Sequence, residues 1–480
     1  MEDDPWGNKD VIYARCESHA KSFRFVRFKK MSRVATEGFP LGNPSTSCGK
    51  EIFDWLIHPR ETTEFIESIW ERRPLYINRG LKEYHSGIIS RRMIENYAKG
   101  DSAFAESSII LSKESEEGRC VLSGSEIDVD ALNGKVDNEG FDLQAVHPQH
   151  KNAKLQALLE RLENFTGSLW GSNFYFKQSS TFSSFSDNVE LFVLQIDGTS
   201  KWRVYQGEQD LSRDSGSDYD IESLGLPILD EDLLPGDLVY IPRGMIYTSS
   251  VESGPATYLT LSTYQNQSWC DLLSTTFSET LDTISRQDIE FRKGLPINYH
   301  SLFGCAIPET ETNKQSRESF RTTLKSLMHK LVDAINLEDI VDQMGSDFIA
   351  LRTPPVARKR KGAAEELSTF GPDPRLHNDL EIRVRNPNWI RIVQDTAETL
   401  LVFSCLQNDV ANHMRSDNPM DNEPTSFEIE GSKNLDGFRD IMSVWPKFVP
   451  VACISREVAG ELWEAGVVET KDTTKHQKNS

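Results

Sequence analysis

Histidine is missing from the middle of this 480-residue sequence. Ten are present in all, but none lies between His150 and His300. Cysteine is sparse and unpaired. Seven occur, at 16, 48, 120, 270, 305, 405 and 453, with no CxxC among them. That scatter excludes a disulfide framework and a Cys-type zinc site, and suits reduced thiols. No run approaches the roughly 18 apolar residues of a membrane span. The start, MEDDPWGNKD, lacks the basic and apolar regions of a secretory signal, so secretion is not expected. Positive charge is also short: 53 Lys and Arg against 74 Asp and Glu give −21 and a pI of about 5.0. Such a surface repels a phosphate backbone, which argues against dedicated nucleic-acid binding. It suits a basic protein partner. Neither a P-loop nor a GxSxG elbow stands in a strand–turn–helix context.

The length suggests about three domains. Residues 1–48 read as a disordered arm with a basic stretch, Arg24, Arg27, Lys29, Lys30 and Arg33. From 49 the chain becomes globular. EIFDWLIHP and ETTEFIESIWERR carry helical apolar spacing, and the extended LYI follows Pro74. KLQALLERLENF is an amphipathic helix broken by Gly167. NFYFK, VELFVLQI, KWRVYQ, DLVYIPRG and ATYLTLSTY are then β-rich runs between turns, the pattern of a barrel or jelly roll. The acidic Ser/Asp/Gly-rich stretch from 205 to 235 reads as a solvated excursion.

Helical periodicity takes over after Trp269. Phe320, Leu324, Leu327, Met328 and Leu331, then Leu337, Ile340, Val341 and Met344, mark a wide apolar face that needs another domain or a second chain to cover it. Pro354-Pro355 ends it. Residues 357–379 form a linker whose Arg358–Lys361 run reads equally as a nuclear address or a charged face. Residues 380–465 mix strands and helices in a small module, and 466–480 read as a disordered tail.

The series GSLWGSNFYF, FSDNVELFVLQIDGTSKWRVY, LLPGDLVYIPRGMIYTS and LTLSTYQNQSW resembles the JmjC-domain ribosomal oxygenases, iron(II)/2-oxoglutarate protein hydroxylases. Likeness extends from about 50 to 465. It implies a mixed α/β fold: a double-stranded β-helix (cupin or JmjC jelly roll) over 49–274 with a helical entry, a helical dimerisation domain over 275–356, and a winged-helix-like module over 380–465. It also implies a nuclear or nucleolar location, with the cytoplasm as the other possibility, and a ribosomal protein or histone tail as partner.

Family chemistry needs two His and one carboxylate on one face of Fe(II), leaving three positions for 2-oxoglutarate and O₂. Anchored on VELFVLQI and PRGMI, the family's two His positions hold Phe185 and Tyr247; Asp187 keeps the carboxylate. A phenyl ring donates no lone pair, and a phenol coordinates chiefly as phenolate, costly at its ordinary pKa near 10. The resemblance also assigns Asn173 and Tyr175 to the cofactor pocket. The family's 2-oxoglutarate lysine aligns with Ser200, with Lys201 one place later; a bulge would bring Lys201 into the pocket, an unbroken strand would turn it out. KQSSTFSSF lacks the family's Gly/Pro-rich approach. His147 and His150 stand three apart, but Pro148 argues against a helix, so AVHPQHKN reads as a surface loop without metal.

Fe(II) and 2-oxoglutarate, the family's cofactors, are therefore not expected to bind well here. The favoured expectation is a non-catalytic binding protein. The alternatives are an active protein hydroxylase or histone lysine demethylase with an atypical site, and a dimer partner of an active paralogue.

Overall fold

A computed structural model describes residues 49–115, 118–178, 183–356, 371–375, 379–396, 398–415, 425–430 and 433–472. The expected arm (1–48), the Arg358–Lys361 run, residues 473–480 and the centre of KQSSTFSSF lie outside them.

Helices α1 (Gly49–Ile57) and α2 (Thr62–Ser68) and the short strand β1 (Leu75–Ile77) lead in. Next come α3 (Arg91–Gly100), α4 (Ser102–Ser108), β2 (Ile109–Ser115), β3 (Gly118–Ser123), α5 (Leu132–Asp137) and β4 (Asp142–Val146). Helix α6 (Ala153–Thr166) starts where Asn152 Oδ1 accepts from the amides of Lys154 and Leu155, and stops at Gly167, whose φ of 65° is cheap only for glycine. Leu155, Leu158, Leu159 and Leu162, at helical spacing, are fully buried.

The β-rich block follows: β5 (Trp170–Lys177), β6 (Ser183–Ser186), β7 (Glu190–Asp197), β8 (Ser200–Tyr205), β9 (Gly216–Ser217), β10 (Leu229–Leu233), β11 (Leu238–Ile241), β12 (Ile246–Ser250) and β13 (Ala256–Thr263). They make two antiparallel sheets, β1-β11-β7-β13-β5-β4-β2-β3 and β10-β8-β12-β6-β9. The first sheet is a wall between two cores, as strand β7 shows. Its Phe192 and Leu194 join the helices in one cluster, while Leu191 and Val193 join Trp202, Val204 and Tyr258 between the sheets. A strand buried on both faces loses its polar alternation, which is why the central LFVL of VELFVLQI is an unbroken apolar run. The acidic 205–235 stretch is largely exposed but is not a mere excursion: it supplies β9 and β10 to the second sheet.

Helix α7 (Trp269–Gln287) opens on a capping box between Ser268 and Asp271, so the helical region starts before residue 275. It continues through α8 (Lys314–Asp333) and α9 (Leu337–Leu351). Leu324, Met328 and Val332 on α8 remain about half exposed.

The last module holds β14 (Leu380–Val384), β15 (Ile390–Gln394), β16 (Thr399–Ser404), β17 (Thr425–Glu430), α10 (Lys433–Ser443), β18 (Val449–Pro450), α11 (Arg456–Glu464) and β19 (Val468–Asp472). Strand β19 pairs with β14 throughout, and Val467 and Val468 are buried, so the order continues past 465 into the stretch expected to be tail.

This module is joined to the barrel through buried polar groups on α6. Arg352, with no exposed side chain, donates to Glu160 O at 3.2 Å and Asn164 Oδ1 at 2.7 Å. Trp389 Nε1 donates to Glu160 Oε1 at 2.7 Å, and His413 Nε2 lies 2.8 Å from Glu163 Oε1. His150 Nε2 lies 2.8 Å from His413 O. His147 and His150 therefore belong to a buried junction, not a surface loop. Burial holds their imidazoles down, to about 3 and about 4.

Candidate functional site

Strands β6, β12 and β8 are neighbours in the second sheet, with Phe185 opposite Tyr247 and Tyr247 opposite Val204. Asp187 follows β6, its backbone fixed by Gly244 N donating to Asp187 O at 2.8 Å. The fold thus brings Phe185, Asp187 and Tyr247 to one place, although 60 residues separate the last two. Tyr247 Oη donates to Asp187 Oδ2 at 2.6 Å.

Electrostatics favour the neutral phenol. Burial, and then the Asp187 carboxylate beside it, push the Tyr247 hydroxyl well above its ordinary value. Burial also raises Asp187, with the Tyr247 hydrogen bond acting against that rise. Each group needs the other: without Tyr247 the carboxylate loses its donor, and without Asp187 the hydroxyl loses its acceptor.

Around this pair the interior is aromatic. Ring centroids run Phe185–Tyr247 6.2 Å, Tyr247–Trp202 5.7 Å, Trp202–Tyr258 5.4 Å and Tyr258–Tyr175 4.9 Å. Five rings from β6, β12, β8, β13 and β5 therefore form one chain that crosses from sheet to sheet. Each such pair adds about 0.5–1.5 kcal/mol beyond the area it buries. Asn173 and Tyr175 stand two apart on β5, on one face. Among the described residues Asn173 Oδ1 is buried without a partner, and Tyr175 Oη accepts from Gln144 Nε2 at 3.2 Å. Burial raises the Tyr175 phenol, with the Asp187 charge the next cause.

Lys201 is not part of this interior. Strand β8 pairs with β10 and β12 without a register shift, so alternation alone decides its faces. Ser200 points inward, donating to Gln195 Oε1 at 2.7 Å and accepting from Trp202 Nε1 at 2.9 Å. Lys201 points outward, where its ammonium lies 2.7 Å from Asp230 Oδ1 and 3.6 Å from Asp232 Oδ1. The bulge that would turn it in is absent.

Trp202, Tyr258 and the Ser200–Gln195 pair were not singled out by the sequence. Trp202 was open to reading, since it shares the face of Ser200 two residues on. A second buried group, Glu190 at the start of β7, also gave no signal. Tyr240 Oη donates to it, Arg243 Nε lies 3.7 Å from its Oε1, and Arg243 reaches Glu71 Oε1 at 2.6 Å. Burial raises the Glu190 carboxyl to about 7.

The interior does not fit a two-His-one-carboxylate iron centre. Asp187 is the sole strong ligand, and its Oδ2 is taken by a phenol held neutral. No group of three or more His, Cys, Asp or Glu side chains able to hold a metal occurs among the described residues. The position of the family's 2-oxoglutarate lysine is a serine bonded to a glutamine.

Residues 144–272 match the JmjC domain family. Along most of its length the chain is similar to ribosomal oxygenase 1 of Danio rerio, at 26% identity over 90% of this chain and 81% of the relative. It is also similar to the bifunctional lysine-specific demethylase and histidyl-hydroxylase NO66 of Aedes aegypti, at 27% identity over 88% of this chain and 67% of the relative. Among solved structures, the ribosomal oxygenase YcfD from Escherichia coli in complex with cobalt and 2-oxoglutarate is 14% identical, with a TM-score of 0.46 over 86% of this chain and 99% of that one. Among the described residues no helix is long and apolar enough to cross a membrane.

Proposed function

We propose that this JmjC-domain chain, similar to ribosomal oxygenases, is a non-catalytic protein-binding relative of them. The observation that carries this is the Tyr247–Asp187 hydrogen bond at 2.6 Å, with Phe185 beside it, where the family has its iron ligands. A neutral phenol donating to the carboxylate and a phenyl ring do not make a metal site. The aromatic chain stabilises the barrel without iron.

Retained are the barrel and the modules around it. With a charge of −21, the natural partner is a basic protein, such as a ribosomal protein or a histone tail, in the nucleus or nucleolus. Helices α7 to α9, with Leu281, Leu324, Met328, Val332, Leu337 and Val341 exposed, suit pairing with a second chain, identical or paralogous. Helices α10 and α11 with the β18-β14-β19 sheet are read as the winged-helix-like module. Helix α11 carries Glu457, Glu461 and Glu464 against one Arg456, a poor match for a DNA groove.

The test is turnover. Purified protein given Fe(II), 2-oxoglutarate, O₂ and basic ribosomal or histone peptides should form succinate no faster than its Asp187→Ala variant, while still retaining those peptides on a binding surface. Succinate formation that depends on Asp187 would overturn the proposal.

A further inference from the structure

Residues 405–415 leave the end of β16 and lie as a strap against the start of β5 and the side of α6. Met414 packs so closely on Gly171 that a Cβ there would come within 3.2 Å of its methyl carbon. Three histidines meet under the strap. His413 belongs to it and is 2% exposed; His150, 9% exposed, and His147 come from the turn that follows β4.

Their hydrogens are placed by their partners. The carbonyl of His413 can only accept, so His150 Nε2, 2.8 Å away, carries the hydrogen, and His150 Nδ1 keeps the lone pair. Gln149 orders His413 in the same way. Its Oε1 accepts from Ser172 Oγ at 2.6 Å, so its Nε2 donates to His413 Nδ1 at 3.2 Å, and His413 Nε2 donates to Glu163 Oε1 at 2.8 Å. Among the described residues, the Nδ1 atoms of both His150 and His147 are buried without a partner, in rings whose centroids lie 5.5 Å apart. A second proton on His150 would put an N–H where nothing accepts it, next to another imidazole.

The surrounding charge gives no relief. Arg415, held by Ser107 Oγ at 2.8 Å, acts on both rings, and Asp409 acts on His150 least of all its neighbours. Lys151 is paired with Asp101 at 2.5 Å. On α6, Glu163 is engaged by His413 and Thr353, and Glu160 by Trp389. We propose that the strap is a proton-sensitive latch, seated on the barrel while His147 and His150 are neutral and lifted from it when they are protonated. Arg391, paired with Asp342 on α9 at 2.6 Å, keeps the C-terminal module attached once the strap has lifted.

The direction follows from the two imidazoles, which burial holds at about 3 and about 4 instead of 6.5. Their contribution to seating is complete above pH 6.5 and is lost as pH falls toward 4. With ordinary values restored on lifting, each weakens seating about thirtyfold between pH 8 and 5, and the two together about a thousandfold.

Hydrogen exchange on the full chain, each rate divided by the intrinsic rate at the same pH, tests this. Amides of 405–415 should lose protection at least about tenfold between pH 8 and 5, while β7 and β13 keep theirs. His147→Asn/His150→Gln removes both titrating groups. Asparagine suits the left-handed φ of 52° at 147, and glutamine keeps a donor toward His413 O. This variant should match the wild type at pH 8 and stay protected at pH 5. Protection of 405–415 that ignores pH in the wild type, or is lost as steeply in the variant, overturns the proposal. Should the variant be open already at pH 8, histidine NMR of the wild type decides. Protonation of His147 and His150 that coincides with loss of strap protection supports the latch, and protonation near pH 6.5 under a strap still protected overturns it.

Discussion

Tyr247 donates to Asp187 at 2.6 Å, joining β12 to the end of β6 through a phenol and a carboxylate that are both half-buried. This bond occupies the position where the resemblance implies iron ligands. It should therefore behave as part of the core. Tyr247→Phe leaves Asp187 without its donor and should cost about 1–3 kcal/mol. Asp187→Asn alone should cost less, since an amide still accepts from the phenol. Urea unfolding of the two single variants and the double variant gives the coupling; additive costs would show that the bond contributes nothing.

Trp202 is the middle ring of the chain that runs from Phe185 to Tyr175, and it touches both sheets through Tyr247 and Tyr258. Trp202→Ala should destabilise the barrel by about 3–5 kcal/mol, because the lost volume is enclosed. A loss below about 1 kcal/mol in thermal or urea unfolding would mean that the interior collapses freely around the gap.

Glu190 sets a pH dependence. Its carboxyl rises from 4.5 to about 7 in the fold, so between these values the folded chain binds a proton that the unfolded chain has released. Its contribution is complete below pH 4.5 and fades as pH rises through 7, by on the order of 3 kcal/mol. Glu190→Gln should flatten the wild-type stability curve in that window. Parallel curves for the two proteins, from urea midpoints at pH 5, 6, 7 and 8, would contradict the assignment.

Lys201 provides a contrast. Its ammonium pairs with exposed Asp230 on the outer face of the barrel, so Lys201→Ala should change stability by less than about 1 kcal/mol. Arg352→Ala should cost about 3–5 kcal/mol, since Glu160 and Glu163 would be left buried without it. Differential scanning calorimetry of the two variants should show a near-native transition for the first. For the second it should show an early transition of the C-terminal module.

The strands were legible because turns separate them and because β-branched and aromatic residues crowd VELFVLQI and ATYLTLSTY. Tyr258 stayed hidden because Thr or Ser occurs on both faces of ATYLTLSTY, so nothing in it tells which face enters the barrel. Lys201 was ambiguous only until the register of β8 was known, since one residue separates inside from outside. His147 and His150 were misread as loop residues because their covering group, His413, lies more than 260 positions away. Long-range burial of this kind leaves no local pattern. The absence of His from the barrel was legible outright, while the hydrogen bond that Tyr247 makes instead depends on a contact between positions 60 apart.

Anaerobic Fe(II) titration by calorimetry tests the central claim most directly. Wild-type protein should show no stoichiometric binding with or without 2-oxoglutarate, and Phe185→His/Tyr247→His should gain a single Fe(II) site. One equivalent of Fe(II) bound by the wild type, and lost in Asp187→Ala, would contradict a barrel closed to iron.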